Sequence, residues 1–187
     1  MTQTGEPADG PADGPADRPA DRIAWTILQT PLGAMLLAAS DKGVCRLAFE
    51  ETADDLAGHF PVAHIQPGGA GVAHLAGLVV SALDDPGKAS GIPLDLRGTP
   101  FQLAVWHQLR RIPAGETRSY AQIAEAIGRP RAVRAVGSAN AANPVAVLVP
   151  CHRVVRSDGS TGGYAYGETV KRALLHREGA LRESVPA

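Results

Sequence analysis

The sequence is poor in cysteine, in long apolar runs and in net charge, and each shortage excludes something. Two cysteines in 187 residues, Cys45 and Cys151, cannot build a disulfide framework, which argues against a small secreted scaffold and fits a reducing cytoplasm. His59, His64 and His74 fall between them without paired-ligand spacing, so no metal and no other cofactor is expected. No apolar run approaches the roughly 20 residues of a membrane span, and no charged-then-apolar signal segment opens the chain, so a cytoplasmic, soluble protein is expected.

The formal net charge of −1 hides a division. Residues 1–98 hold 6 Lys and Arg against 13 Asp and Glu, whereas residues 99–187 hold 12 against 6. A basic half suits a polyanion partner, or a solvated surface docked on an acidic neighbour, and charge alone leaves both open.

Residues 1–22 repeat Pro-Ala-Asp with Gly or Arg and hold too little apolar area to offset the entropy of ordering, so they read as a disordered tail. From Ile23 the pattern turns to short β-like runs, Ile23 to Gln29, Ala34 to Ala39 and Val44 to Phe49. Turn signatures separate them, which predicts two hairpins in a small antiparallel sheet with Cys45 in the core. Val72, Leu75, Ala76, Val79, Val80 and Leu83 recur at helical spacing, forming a stripe that covers the sheet until Pro86-Gly87 stops the helix. Residues 23–97 form a mixed α/β scaffold in this reading.

The second unit, residues 98–182, precedes a flexible end at 183–187. Thr99 to Gln102 has the form of a capping box with Pro100 at the first helical position, predicting a helix to about Arg111. Phe101, Val105, Leu109 and Ile112 share one side of it, with Trp106 and His107 as packing residues. Tyr120 to Ile127, then Gly128-Arg129-Pro130, then Arg131 to Ala141 has the organisation of a helix-turn-helix. In its second helix Val133, Val136, Gly137 and Asn140 share one face and Arg131, Arg134 and Ser138 the opposite one. A solvated face explains that pattern as well as a DNA-reading one.

Val145 to Val149 is short and largely β-branched, predicting a buried strand that ends at Pro150 and delivers Cys151 at a rigid edge. Most free cysteines are small buried hydrophobes. Here His152 can take the thiol proton and Arg153 raises the local positive potential, so a lowered thiol pKa and a reactive thiolate are expected. In the last helix, about Glu168 to Glu178, Val170, Leu174 and Glu178 fall at i, i+4 and i+8, placing a carboxylate on the core-facing side.

Pro150-Cys151-His152-Arg153-Val154, with the helix-turn-helix before it and the acid-ended helix after it, resembles the acceptor region of the O6-alkylguanine-DNA alkyltransferases. The resemblance runs from Ile23 to Gly179, is strongest from Gly98, and within the family points to the carboxy-terminal half of the bacterial adaptive-response methyltransferases. It implies a small amino-terminal antiparallel sheet with a helix, ribonuclease H-like, followed by a mostly helical, winged-helix-like DNA-binding domain. It also implies single-turnover repair: the alkyl group of O6-alkylguanine, and of O4-alkylthymine, moves from double-stranded DNA to Cys151, with no cofactor and a monomeric protein.

By the same resemblance Glu178 orients His152, which activates Cys151 through a bridging water, Tyr120 donates to the departing purine, and Asn143 fixes the turn before the acceptor. Tyr120 is equally a helix-start packing residue, and Asn143-Pro144 equally an ordinary turn. Arg134 would fill the gap left by a flipped nucleotide, and Arg129, Arg131, Ala121, Ser157 and Gln102 would meet DNA. Val154, Tyr164, Ala165 and Tyr166 would wall the pocket. Several members have serine where Ala165 stands and glycine where Tyr166 stands, so a narrower pocket that favours methyl over benzyl adducts is expected. The competing readings are a lesion sensor without transfer, a cysteine hydrolase on Cys151, His152 and Glu178, and a winged-helix transcription factor. The metal-dependent amino-terminal module of the adaptive-response proteins has no counterpart here, so no gene-regulatory role is carried over.

Overall fold

The computed structural model describes residues 21–181. The tail expected over 1–22 lies outside them except for its last two residues, and Arg22 already opens the first strand; the end at 183–187 lies outside them too. The expected hairpins form: β1 (Arg22–Thr30), β2 (Gly33–Ser40) and β3 (Gly43–Phe49) pair antiparallel in turn.

The sheet is mixed rather than purely antiparallel. A short strand β4 (His64–Pro67) joins β1 in parallel, giving the order β3-β2-β1-β4. Four residues without apolar alternation leave little pattern to read, and the pairing is fixed by β1 instead. The seven-residue helix α1 (Ala53–His59) before it is equally faint, because only Leu56 is buried; its start is nevertheless marked by the reciprocal Thr52–Asp55 capping box.

Helix α2 (Ala70–Asp84) covers one sheet face with Val72, Leu75, Val79, Ala82 and Leu83, joining Met35, Leu37, Leu47 and Phe49. Val80, expected in that stripe, is 43% exposed, and Ala82 takes its place against the core. The other face buries Ile23, Leu36, Ala38 and Cys45 under Leu56 of α1. Burial on both faces explains why β2 reads as a continuous apolar run.

The second unit contains α3 (Pro100–Leu109), β5 (Arg118–Ser119), α4 (Tyr120–Ala126), α5 (Val133–Ala141), β6 (Val154–Val155) and α6 (Glu168–Arg177). Thr99 and Gln102 cap α3 reciprocally, as expected from the capping-box spacing. Trp106 is buried and its indole N–H donates to the Ala139 carbonyl at 2.8 Å, tying α3 to α5. His107, expected to pack, is exposed. Helix α5 starts two residues later than anticipated, and Val133 is 37% exposed rather than on the core face.

The two units share one apolar core, and β3 lies at their junction. Its Leu47 N–H donates to Pro144 O at 3.0 Å, and Ala146 N–H donates back to Leu47 O at 2.8 Å. Val145 to Val149 is therefore held against β3 but does not form the expected strand. Val147 sits at φ 70°, a left-handed conformation that a β-branched residue adopts only under constraint and that interrupts extended pairing. The run folds back on itself, with Ala146 bridging Val149. No helix among the described residues is long and apolar enough to cross a membrane.

Candidate active site

The folded-back segment delivers Cys151 into a 3-10 turn, Cys151–Arg153, whose thiol is only 3% exposed. Its backbone is fixed from two sides: Cys151 N–H donates to Val149 O at 2.8 Å, and the buried Asn140 amide donates to Cys151 O at 3.3 Å. Asn143 reaches further in. Its Nδ2 donates to Val149 O at 2.8 Å and to Cys151 Sγ at 3.0 Å, and its Oδ1 accepts from Val145 N at 3.0 Å. One side chain thus spans the acceptor loop and touches the sulfur.

Behind the thiol, His152 is fully buried, with Nε2 2.9 Å from Glu178 Oε1. Burial alone would raise the Glu178 pKa, but hydrogen bonds from His152 and Arg153 overcome it and hold the carboxyl down at about 2. Burial pushes His152 below the usual histidine range, so the ring is neutral. An ionised carboxylate only accepts, so Nε2 carries the ring proton and Nδ1 the lone pair. Nδ1 has no hydrogen-bond partner among the described residues.

Arg153 does more than raise the local potential. It is buried, grips Glu178 through Nε at 2.7 Å and Nη2 at 2.8 Å, and donates from Nη1 to Ile112 O at 2.6 Å. The carboxylate that orients His152 is itself clamped to the α3–β5 connection. The Cys151 thiol departs from the expectation of a lowered pKa: burial pushes it up, against smaller opposing effects from the Asn143 and Tyr164 hydrogen bonds and the Lys171 charge. Burial outweighs them, and the group rests as a thiol.

In front of Cys151 lies a cavity of about 350 Å³, lined by Tyr120, Asn140, Asn143, Tyr164, Ala165 and Tyr166 among others. The two-residue parallel pair of β5 with β6 aligns Ser119 with Val155, so the N-cap of α4 is tied to the strand that follows the acceptor turn. Tyr120, the next residue, is thereby fixed at the cavity wall. The covering loop uses glycine at φ 66° (Gly162) and φ 88° (Gly167), conformations that side chains resist, which lets the chain turn tightly around Tyr164 and Tyr166. Tyr164 Oη stands 4.0 Å from Cys151 Sγ.

Several residues singled out in the sequence lie elsewhere. Arg129, Arg131 and Arg134 are exposed on the α4–α5 turn and α5, Ala121 is half-buried at the start of α4, and Ser157 is exposed in the turn after β6. Gln102 spends its side chain on the α3 cap and lines a separate groove with Cys45 and Trp106. Val154 is fully buried and does not line the cavity; its carbonyl accepts from Lys171 Nζ at 2.6 Å.

Lys171 escaped the sequence reading. It is completely buried, and it joins Val154 O to Thr161 O in the glycine-rich loop, its pKa lowered by burial to about 8. Its position four residues before Leu175 and seven before Glu178 is a helical-face signal that marks it as inward-facing. Among the described residues no group of three or more His, Cys, Asp or Glu side chains is placed to hold a metal ion.

The profile of the 6-O-methylguanine DNA methyltransferase, DNA binding domain, matches residues 100–180. A methylated-DNA--protein-cysteine methyltransferase from Methanosarcina barkeri is 41% identical over 156 residues, spanning 82% of this chain and 96% of that protein. The chain belongs to this methyltransferase family. It is also 42% identical over 163 residues to the bifunctional transcriptional activator/DNA repair enzyme Ada of Escherichia coli strain K12, covering 85% of this chain and 46% of Ada. The chain spans about half the length of the first curated relatives it matches, at 46%, 44% and 53%. Mycobacterium tuberculosis OGT, a methyltransferase relative solved in complex with DNA, superposes with a TM-score of 0.67 at 36% identity, covering 85% of this chain and 93% of that one. The sheet-plus-helices architecture is thus that of this alkyltransferase family.

Proposed function

We propose that this protein repairs O6-alkylguanine in double-stranded DNA by moving the alkyl group, chiefly methyl, to Cys151 in a single turnover. The observation that carries the reading is the chain of contacts from Arg153 through Glu178 and His152, with Cys151 at the floor of a cavity large enough for one purine. Family membership and the DNA complex of the M. tuberculosis relative support DNA as partner. O4-alkylthymine is a second substrate of the same chemistry.

The protein works as a monomer in the cytoplasm. Residues 23–97 form a scaffold and residues 98–182 the reacting, DNA-binding unit. Helix α5 approaches the minor groove, whose base pairs present similar edges, so binding tolerates sequence. Arg134 fills the gap left by the rotated nucleotide, while Arg129, Arg131, Ala121, Ser157 and Gln102 meet the backbone. Rotation is required because a stacked base hides its O6 substituent from a thiol; unstacking costs a few kcal/mol and less at a badly paired lesion.

Within the cavity the thiol proton passes through a water to the His152 Nδ1 lone pair, and Glu178 steadies the imidazolium that forms. Moving that proton only as the reaction begins suits a thiol whose pKa burial has raised. The sulfur then displaces at the alkyl carbon: the S–C bond forms, the C–O6 bond breaks, and the electron pair goes to the purine. Tyr120, whose phenol stays protonated because burial and then the neighbouring thiol raise its pKa, hydrogen-bonds the purine as charge develops. The proton lost by the thiol ends on guanine, and Cys151 is left as a thioether that water does not cleave readily.

Titrating a lesion-bearing duplex with protein tests the reading. Lesions lost should equal protein added, with no further loss on long incubation, and Cys151→Ala should remove none. Repeated turnover by the wild type, or lesion binding without loss, contradicts it.

A further inference from the structure

Strand β3 presents Leu47 and Phe49 two residues apart and therefore on one face. Leu47 holds the acceptor segment by its backbone, through Pro144 and Ala146. Phe49 holds something else. Its ring meets Tyr166 edge-on, with centroids 5.3 Å apart and planes at 63°, and Tyr166 meets Tyr164 in the same manner at 5.4 Å and 71°. Tyr164 in turn reaches the acceptor sulfur. A ladder of three rings thus runs from the amino-terminal sheet to Cys151.

Tyr166 and Tyr164 are borne on the loop between Gly162 and Gly167 and are half-buried against the core. Phe49, in contrast, is 4% exposed and pinned in the sheet opposite Met35. Edge-to-face contacts at these separations are favourable beyond area burial and bias the rotamer of a loop side chain. The Tyr166 ring lines the substrate cavity, so whatever fixes it fixes the width of the opening.

We propose that Phe49 is a specificity-determining positioning residue: by bracing Tyr166 it sets the largest alkyl group the cavity accepts, so the amino-terminal sheet takes part in substrate selection. This rests on the alkyl-transfer reading above. Phe49 does not touch the substrate and acts only through Tyr166.

The test compares reaction of Cys151 with free O6-benzylguanine and with O6-methylguanine in duplex DNA, for wild type, Phe49→Leu, Tyr166→Ala and the double variant. Leucine keeps the site apolar, so the fold survives, while the edge-on partner is removed. Phe49→Leu should raise the benzyl-to-methyl rate ratio by about tenfold, the scale of a hydrophobic pocket altered by roughly one group. Tyr166→Ala should raise it further, and Phe49→Leu should add nothing once Tyr166 is gone. An unchanged ratio in Phe49→Leu, or the same rise in the Tyr166→Ala background, overturns the proposal while leaving alkyl transfer intact. A wild type that reacts with neither substrate overturns both.

Discussion

The Asn143 side chain makes three contacts in the acceptor loop, to the Val149 carbonyl, the Val145 amide and the sulfur itself. Replacing it with alanine takes the acceptor from the buried Val145 N–H, at about 1–3 kcal/mol, while Val149 O keeps its bond from Cys151 N–H. Asn143→Ala should therefore lower the unfolding midpoint and slow transfer together, whereas Asn143→Asp, which cannot donate to sulfur, should raise the thiol pKa further. Thiol alkylation against pH checks the second outcome; a lowered pKa would contradict the assigned contact. Glu178 makes a separate prediction. Its folded pKa of about 2 lies below the ordinary 4.5, so its contribution is present above pH 4.5 and disappears as pH falls toward 2. That contribution is on the order of 3 kcal/mol. Thermal unfolding of Glu178→Gln should fall well below wild type at pH 7 and converge with it on acidification; a constant difference would refute the clamp.

At the scale of elements, the proposed DNA contacts around α4 and α5 assign different roles to two arginines. Arg131→Ala should weaken binding to any duplex and reduce the slope of log affinity against log salt by about one. Arg134→Ala should instead slow transfer from duplex DNA by about ten- to a hundredfold, a loss matching a few kcal/mol of unstacking cost, with a much smaller effect on free base. Equal losses on duplex and free base would remove Arg134 from the flipping step. Helix α3 and the α4–α5 pair were legible in the sequence because their signals are local: the Thr99–Gln102 capping box opens α3 and the Gly128-Arg129-Pro130 turn separates α4 from α5, each acting within a few residues. The acceptor segment was not. Five apolar residues predict a strand, yet Val147 turns left-handed within it, and the bonds that hold Pro144 and Ala146 come from Leu47 of β3, about a hundred residues earlier in the chain. Arg153 and Lys171 were obscured for a related reason, since a charged residue reads as solvent-facing until its buried partners are known.

For the whole molecule, the sequence split the chain by charge and pattern into two units, whereas the structure joins them through one core and places β3 against the acceptor loop. The sheet is then part of the site's support, holding the loop by Leu47 and facing the pocket wall with Phe49. Leu47 is fully buried, so Leu47→Ala should cost about 2–5 kcal/mol. It should also slow alkyl transfer under conditions where the variant remains folded; an unaltered rate would make the sheet a passive scaffold. The central claim remains the fate of Cys151, which intact-protein mass after mixing with excess duplex containing O6-methylguanine tests most directly. The account predicts a gain of one methyl group per chain, localised to Cys151 and lost in Cys151→Ala. No gain, or methyl found on another residue, would contradict it.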